Sequence, residues 1–414
     1  MGLDDIIAKV NKQYKQQLAV KGVGDFVIKR IPFTSPRLNY ETYGGIPRGR
    51  ISMFVGAESS GKTTTSLDSI KNGQKLFEKE WAEELVQLQE KLEQPKLTKT
   101  EKSELDERIK YLNKRGPLKI VYFDAEGTID ADWCSKLGVD INNVYIFRLH
   151  QQTAEQFLQQ VLDVADSDDV GLIVIDSIAG LVPQQIYEES LEKKNMGGNA
   201  SVITMFVNKV IPKLCEHNIT CIIINQIRGD FTNPYAEFSI PGGHALKHHC
   251  SLILAFKKGA FIDESGEEQK KSYETPQGNI VLVHVNKTKV FKPDRRVGFY
   301  TLSYDHGIDV VLDLFDVAVT YDIIAKAGSW FTIINPDTKE ALLDADGEMI
   351  KFQGKANMIS FLRENPEVFE FIYDYINSRV SNKDSVNLKI DESGEELARL
   401  TGDIPEVDQI PVRS

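Results

Sequence analysis

Short runs of apolar, mostly β-branched residues alternate with segments of helical periodicity through the middle of the chain. The apolar runs are predicted to be buried strands and cover residues 51–55, 119–123, 171–175 and 221–224. The intervening segments are predicted to be helices, one starting at 64 and the others covering 153–165 and 202–217. Continuous apolar strands separated by helices are typical of a parallel sheet with helices on both faces. Later apolar runs near 250–256, 279–285 and 297–302 have shorter connections, so we expect them to extend the sheet as antiparallel strands.

A charged segment, residues 77–116, interrupts this alternation with two narrow apolar stripes. The stripe residues recur every three or four positions, as on one face of a helix, and are Trp81, Leu85, Leu88, Leu92, Leu105, Ile109 and Leu112. Pro95 separates the stripes, and Thr98 with Glu101 fits a capping box at the start of the second helix. We predict an antiparallel helical hairpin, which is either a solvated excursion from the core or a dedicated site for a partner.

The remaining segments divide the chain into further units. Residues 1–32 contain a predicted helix over 6–18 and either pack on a neighbouring molecule or form a loosely held arm. Residues 33–307 are the predicted core, and residues 308–388 are a small α-rich lobe. The helices expected in this lobe cover residues 312–326, 356–365 and 366–380. Residues 389–414 carry seven acidic and three basic side chains with little periodicity, which predicts a disordered acidic tail.

Composition narrows the class of protein. The net charge of −12 argues against nonspecific binding of nucleic acid by the whole surface, so a nucleic-acid site must lie in particular segments. No apolar run reaches the roughly 18 residues that a membrane span requires, so no membrane partner is expected. The acidic N-terminus is unlike a secretory signal, and the four cysteines lack the spacing of a zinc site or a disulfide framework. We therefore expect a cytoplasmic protein.

The strand at 51–55 is followed by a phosphate-binding motif. The eight residues from 56 to 63 fit the pattern G-x-x-x-x-G-K-[ST], and a helix is predicted directly after them. In this context backbone N–H groups and the helix N-terminus surround an anion, Lys62 reaches the β- and γ-phosphates, and the Thr63 hydroxyl contacts Mg²⁺. The predicted nucleotide-binding residues are Gly56, Ala57, Glu58, Ser59, Ser60, Gly61, Lys62, Thr63 and Thr64.

Polar residues end three other predicted strands. Asp176 would bind Mg²⁺ through water. Alternatively, it only caps the segment that follows the strand. Glu126 is a candidate general base for the attack of water on the γ-phosphate, with helix capping as the alternative. Gln226 can hydrogen-bond the γ-phosphate or its water and sense whether that phosphate is present. Because parallel strands end at the same edge of a sheet, we expect these side chains to lie near the phosphate loop.

Two further segments have the composition of nucleic-acid or phosphate sites. The predicted loop over 229–243 carries Phe231, Tyr235 and Phe238, which suit either stacking on bases or an ordinary hydrophobic surface loop. A basic cluster covers residues 287–296. It would either stabilise phosphate charge on a neighbouring subunit's nucleotide or form a solvated basic hairpin.

These motifs, in this order, resemble those of the bacterial RecA recombinase family from about residue 20 to about residue 385. The resemblance is carried by the phosphate loop and by the blocks 123–126, 137–142, 224–228, 242–247, 326–330 and 353–357. It implies an α/β fold with a RecA-like P-loop ATPase core, whose mostly parallel central sheet is covered by helices. The hairpin would be an insertion in this core, and the α-rich lobe would be the C-terminal domain.

The resemblance also implies roles for individual residues. Glu126 resembles in position the catalytic base of the family. Gln226 resembles in position the γ-phosphate sensor that couples to the DNA loop. Asp130 and Trp133 are implied to contact adenine, and a tyrosine is usual at the position of Trp133. Lys287 and Lys289 are implied to reach the ATP of the neighbouring subunit. Residues 188–198 and 228–242 resemble the two DNA loops. The implied DNA contacts are Met196, Gly197, Gly198, Arg228, Phe231, Tyr235, Phe238, Gly242 and Gly243.

The sequence departs from the family pattern in the hairpin insertion, in the rewritten second DNA loop, and at His248, where the family carries a phenylalanine at the subunit interface. We expect a bacteriophage-encoded relative. The implied function is a DNA-dependent ATPase that uses ATP and Mg²⁺ and forms helical filaments of many copies on single-stranded DNA. It would pair that strand with homologous duplex DNA in recombination and repair. A ring-shaped helicase motor and a non-catalytic recombination mediator are the alternatives.

Overall fold

The structure is a computed structural model that describes residues 2–14, 28–188, 198–227, 242–263, 268–269, 274–344 and 346–381 of the 414-residue chain. The helices of these segments are α1 (Leu3–Tyr14), α2 (Pro36–Glu41), α3 (Lys62–Leu92), α4 (Lys99–Arg115), α5 (Ala131–Lys136), α6 (Ala154–Val164), α7 (Gln184–Tyr187), α8 (Gly198–Glu216), α9 (Gly243–His249), α10 (Val310–Thr320), α11 (Lys355–Glu364) and α12 (Pro366–Ser381). The strands are β1 (Arg30–Ile31), β2 (Ile46–Pro47), β3 (Ile51–Gly56), β4 (Lys119–Asp124), β5 (Val144–Arg148), β6 (Val170–Asp176), β7 (Thr220–Gln226), β8 (Leu252–Ile262), β9 (Glu268–Gln269), β10 (Gly278–Thr288), β11 (Val297–Ser303), β12 (Gly307–Ile308), β13 (Ile324–Ala327), β14 (Trp330–Ile333) and β15 (Lys351–Gln353).

The central sheet of the described segments has ten strands, in the order β12-β11-β10-β8-β3-β7-β6-β4-β5, with β9 paired to β8. Neighbouring strands from β8 to β5 are parallel, whereas β10, β11 and β12 are antiparallel to their neighbours. The predicted mostly parallel sheet is therefore confirmed. The expectation that the 250–256 strand is antiparallel is wrong, because β8 pairs with β3 in parallel. The connection from β7 to β8 contains α9 and is long enough for a crossover.

Two apolar clusters cover the two faces of this sheet. Phe157 and Val161 of α6 and Val207 of α8 pack in one cluster, and Leu67 and Ile70 of α3 pack in the other. All seven residues of β6 are buried, which explains why its sequence is an unbroken apolar run rather than an alternating pattern. The buried layers fix the carboxyl ends of β3, β4, β6 and β7 beside one another.

The helical hairpin is an extension of the helix that follows the phosphate loop. Helix α3 runs without a break from Lys62 to Leu92, and α4 returns antiparallel to its second half. The Trp81 Nε1–H donates to the Leu112 carbonyl oxygen at 2.9 Å, and the predicted capping box at the start of α4 is present. The expected two helices are therefore observed, but the first begins at the phosphate loop and not at residue 77.

The C-terminal lobe contains a three-stranded antiparallel sheet that the sequence pattern did not predict. Strands β13, β14 and β15 pack with α10, α11 and α12 around one apolar cluster. The helix expected over 312–326 is wrong in its last six residues, because α10 ends at Thr320 and Lys326 lies in β13, opposite Phe331. Asp322 has a φ of 55°, which turns the chain out of the helix.

The described part of the chain contains no helix that is both long and apolar enough to cross a membrane. At the N-terminus, α1 covers Leu3–Tyr14, and the expected end of this helix at residue 18 lies outside the described residues. The expected acidic tail over 389–414 lies outside the described residues.

Candidate nucleotide and DNA site

The phosphate loop joins the end of β3 to the start of α3 in a conformation that needs glycine. Gly61 has a φ of 97°, and Ser59 also has a positive φ, of 56°. A Cβ atom on Gly56 would lie 2.5 Å from the Phe256 carbonyl oxygen, which only glycine avoids. The helix begins directly at Lys62, so its free N–H groups point at the space enclosed by the loop.

Lys62 is the buried cation of this loop. Its side chain is 6% exposed, and its Nζ donates to the Ala57 carbonyl oxygen at 2.6 Å. Burial lowers the pKa of Lys62 below its usual value of 10.5, although Asp176 and Glu126 act in the opposite direction. A buried ammonium group that is neutralised only in part by neighbouring carboxylates favours an anionic ligand.

Asp176 lies at the end of β6, next to the phosphate loop. Its Oδ2 accepts hydrogen bonds from the Thr63 hydroxyl at 2.9 Å and from the Tyr122 hydroxyl at 2.7 Å. Burial raises the pKa of Asp176, and the two hydrogen bonds oppose that rise by favouring the charged form. Asp176 does not cap the following 3-10 helix, whose N-cap is Ser177, so the capping alternative is wrong.

Glu126 and Gln226 are in direct contact. The Gln226 side-chain amide donates to Glu126 Oε1 at 2.8 Å, and the Ser177 hydroxyl donates to the same oxygen. The next helix, α5, is capped by Asp130, so the alternative in which Glu126 caps that helix is wrong. The ends of β4, β6 and β7 thus bring together the candidate base, the candidate metal carboxylate and the candidate sensor.

The loop that carries Glu126 is shaped by a buried carboxylate and by the backbone of β6. Asp124 Oδ1 accepts from the backbone N–H groups of Gly127, at 2.7 Å, and of Thr128. The Ala125 backbone N–H donates to the Asp176 carbonyl oxygen at 2.7 Å. These bonds fix the backbone on both sides of Glu126, while its side chain is exposed toward the crevice edge.

The residues of this crevice fit ATP and Mg²⁺. Glycine at the loop positions, a buried lysine and free helix N–H groups match the oxygens of a triphosphate. Thr63 and Asp176 supply two neighbouring oxygens, and Mg²⁺ is usually bound by one or two protein oxygens with phosphates and water completing the octahedron. The described residues contain no group of three or more His, Cys, Asp or Glu side chains that could hold a metal ion. A metal site made of protein ligands alone is therefore not found among them.

The two positions expected to contact adenine lie at the first turn of α5. The Asp130 carboxylate accepts from the Trp133 backbone N–H at 2.7 Å and thereby caps the helix. The Trp133 ring is half-buried and packs against the apolar cluster on the α3 face of the sheet. Contact of either side chain with adenine stays a prediction.

The basic cluster at 287–296 divides into two parts. The ammonium groups of Lys287 and Lys289 donate to the His248 carbonyl oxygen, at 2.9 and 2.6 Å, at the C-terminal end of α9. Cations at a helix C-terminus interact favourably with its dipole. Arg295 instead lies between the rings of Tyr40 and Tyr43, at 3.8 and 4.0 Å from their centroids, and is a packing residue.

The predicted DNA loops are described only at their ends. Gly198 is the first residue of α8, and Gly242 and Gly243, with φ of 104° and 73°, open α9. A Cβ atom on Gly243 would lie 3.2 Å from the Ala200 Cβ, so both loops end at the same place. The other predicted DNA contacts, namely Met196, Gly197, Arg228, Phe231, Tyr235 and Phe238, lie outside the described residues.

The sequence analysis missed two hydroxyl groups of this site. The Tyr122 hydroxyl donates to Asp176, and the Ser177 hydroxyl donates to Glu126. Ser177 could have been found from its position directly after Asp176. The only signal for Tyr122 was a phenolic hydroxyl in the middle of an otherwise apolar strand that must be buried.

Comparison with known proteins identifies the family. Residues 106–309 match the model of the RecA N-terminal domain and residues 312–381 that of the RecA C-terminal domain. "Protein RecA" of Aquifex aeolicus is 29% identical over 89% of this chain and 90% of its own length, and that of Thermus aquaticus is 32% identical over 80% and 78%. A solved structure, "Crystal structure of the RadB recombinase", has a TM-score of 0.41 and 16% identity over 66% of this chain and 95% of that chain.

The similarity to the solved structure is too low to identify a family. The family assignment therefore rests on the sequence comparisons and on the site geometry. The two matched domains together cover more than half of the chain, and the Thermus aquaticus relative exceeds 30% identity over most of its length. The phosphate loop lies before the first matched range, so its assignment rests on the motif and on the strand–loop–helix geometry. The chain therefore belongs to the RecA family of recombination ATPases.

Proposed function

We propose that this chain is a DNA-dependent ATPase whose filaments on single-stranded DNA pair that strand with homologous duplex DNA. The observation that carries the proposal is the 2.8 Å hydrogen bond between Gln226 and Glu126. Gln226 is the last residue of β7, and the chain continues from it into the 228–242 segment that resembles a DNA loop. A change in that segment on binding DNA would therefore act directly on the candidate base.

Each crevice residue has a separate task in hydrolysis. Lys62 and the N–H groups at the start of α3 bind the β- and γ-phosphates and stabilise the charge that develops on them. Thr63 and Asp176 hold Mg²⁺, which, when bound, neutralises phosphate charge. Glu126 orients the attacking water and accepts its proton, and the Ser177 hydroxyl positions the Glu126 carboxylate.

Gln226 couples the nucleotide to DNA. In the free chain its amide occupies Glu126 Oε1, which the attacking water also needs. A γ-phosphate within reach offers the amide a charged acceptor, and charge-assisted hydrogen bonds are stronger than neutral ones. Movement of the amide toward the phosphate would release Glu126 and shift the segment that follows β7, so that ATP and DNA reinforce each other's binding.

A filament requires a head-to-tail interface between copies. Helix α1 carries the exposed apolar residues Leu3 and Ile6, 71% and 45% exposed, which suits docking on another copy. Lys287 and Lys289 lie at the exposed end of α9, from which they would reach the neighbouring subunit's ATP. A contact between two different surfaces of identical chains continues without closure, which gives a helical filament.

The experiment is an ATP-dependent pairing assay between a single-stranded circle and a homologous linear duplex, with electron microscopy of the same mixtures. We expect homology-dependent joint molecules and open filaments from the native chain. The Glu126→Gln variant should still form filaments with ATP but hydrolyse it about 10²- to 10⁴-fold more slowly. Closed rings that unwind duplex DNA, or nucleotide binding without turnover or pairing, would contradict the proposal.

A further inference from the structure

Tyr122 is a buried hydroxyl donor inside the nucleotide crevice. It lies in the middle of β4 with no exposed surface, and its ring packs in the apolar cluster on the α3 face of the sheet. Its hydroxyl donates to Asp176 Oδ2 at 2.7 Å. A buried hydroxyl without a partner is costly, so the bond constrains the ring and the carboxylate together.

The Tyr122 bond goes to the same carboxylate oxygen as the bond from Thr63. Both hydroxyls donate to Oδ2, from β4 on one side and from α3 on the other. Two donors in different directions fix the rotation of the carboxylate about its last bond. Neither of these two bonds goes to Oδ1.

We infer that Tyr122 is a positioning residue for metal binding: its hydroxyl orients the Asp176 carboxylate, which would hold the Mg²⁺ of the bound nucleotide. The inference deepens the proposed function and rests on its assignment of Asp176 to the metal. Groups that orient metal-bound ligands commonly change metal affinity by about 10- to 100-fold when they are removed. A phenylalanine would fill the same space in β4 and lack only this bond.

Tyr300 offers a matched control. It is also fully buried and also places its hydroxyl against the first turn of α3, 2.7 Å from Thr65 Oγ1. Its partner is a threonine hydroxyl and not the Asp176 carboxylate. Tyr122→Phe and Tyr300→Phe therefore remove the same atom from equally buried rings, and only the first change touches the metal carboxylate.

The test measures metal binding without turnover. Mn²⁺ is titrated into the full chain with a non-hydrolysable ATP analogue, and free Mn²⁺ is followed by electron paramagnetic resonance. Tyr122→Phe should weaken Mn²⁺ binding by roughly tenfold, whereas Tyr300→Phe should stay within about twofold of the native chain. Binding of the analogue in EDTA should be equal in all three chains, and melting temperatures verify that each is folded.

Asp176→Asn separates the inference from the proposed function. If Asp176→Asn weakens Mn²⁺ binding but Tyr122→Phe does not, the role of Tyr122 is overturned and the metal carboxylate stands. If Asp176→Asn leaves Mn²⁺ binding unchanged, the metal assignment of the proposed function fails, and the inference fails with it. Equal losses in Tyr122→Phe and Tyr300→Phe would indicate general loosening of the crevice and would also overturn the inference.

Discussion

The two halves of α3 differ in nearly every physical property, although they form one continuous helix. The first half, up to Phe77, carries all the buried residues of the helix and is rich in hydroxyl side chains. The hydroxyls of Thr65, Ser66 and Ser69 donate to backbone carbonyl oxygens one turn earlier, as Ser69 Oγ does to the Thr65 carbonyl oxygen at 2.8 Å. The second half carries charged residues that are exposed or half-buried; one narrow stripe of it packs against α4, and Glu80 pairs with Arg48 at 2.7 Å.

The two halves of α3 differ in how firmly their side chains are held. A buried polar segment must satisfy its donors and acceptors internally, so its side chains are fixed before a ligand arrives. An exposed charged segment has no such constraint, and its contacts are individually weak. Substitutions in the first half of α3 should therefore have large and specific effects, and those in the hairpin half should have small ones.

The largest expected effect is on catalysis at the start of α3. Lys62→Ala removes the buried cation that we propose binds the β- and γ-phosphates, so ATP hydrolysis should fall by about 10²- to 10³-fold or more. Lys91→Ala, which removes an exposed lysine in the last turn of the same helix, is the control and should leave the rate unchanged. A steady-state ATPase assay on both variants measures this, and comparable losses in the two would remove the distinction between the halves.

The next effect is on stability at the boundary between the halves. Phe77 is 1% exposed and packs against Gly171 of β6, so Phe77→Ala should lower the free energy of unfolding by about 3–5 kcal/mol. Val86 is 53% exposed on the hairpin, and Val86→Ala should change it by less than about 0.5 kcal/mol. Urea unfolding of both variants gives the comparison. A small loss for Phe77→Ala would mean that the core ends before residue 77.

A pH titration tests the electrostatic difference. Burial lowers the pKa of Lys62, so its ammonium loses the proton at a lower pH than an ordinary lysine does. Phosphate affinity therefore falls as the pH rises through the lowered pKa, by roughly tenfold per pH unit beyond it, and does so below the usual lysine range. A fluorescent ATP analogue titrated from pH 7 upward would detect the fall. Constant affinity up to the usual lysine range would contradict the buried state of this cation.

The smallest effect is expected for the hairpin's surface ion pair. Arg108 and Glu84 approach to 2.7 Å, but both side chains are more than one third exposed. Exposed ion pairs contribute at most about 1 kcal/mol, so the coupling energy from a double-mutant cycle of Arg108→Ala and Glu84→Ala should lie below that. A larger coupling would make the hairpin a stabilising element and not a solvated extension.

The crevice could be predicted from the sequence because each of its elements has a local signature. The motif at 56–63 and the apolar runs that end in Asp176 and Gln226 predict the strands. They also predict the edge of the sheet at which the side chains meet. The direct bond between Gln226 and Glu126 could not be predicted, since residues 100 positions apart in sequence meet only in the folded sheet. Tyr122 was missed for the same reason.

The errors lie where tertiary contacts decide the structure. Nothing local marks the junction of the phosphate-loop helix with the hairpin, because helical periodicity continues through Phe77. The direction of β8 depends on the crossover through α9, so the expectation of a short connection is wrong for this strand. Strand β13 is short and pairs with β14 across a tight turn, so its four residues could be taken for the end of a helix.

The central claim is that Gln226 transmits the presence of DNA to Glu126. The most direct measurement is the ATPase rate of the native chain and of Gln226→Ala, each with and without single-stranded DNA, with ATP affinity measured in parallel. We predict that Gln226→Ala keeps its affinity for ATP and loses the stimulation by DNA. Full stimulation of the variant by DNA would contradict the account.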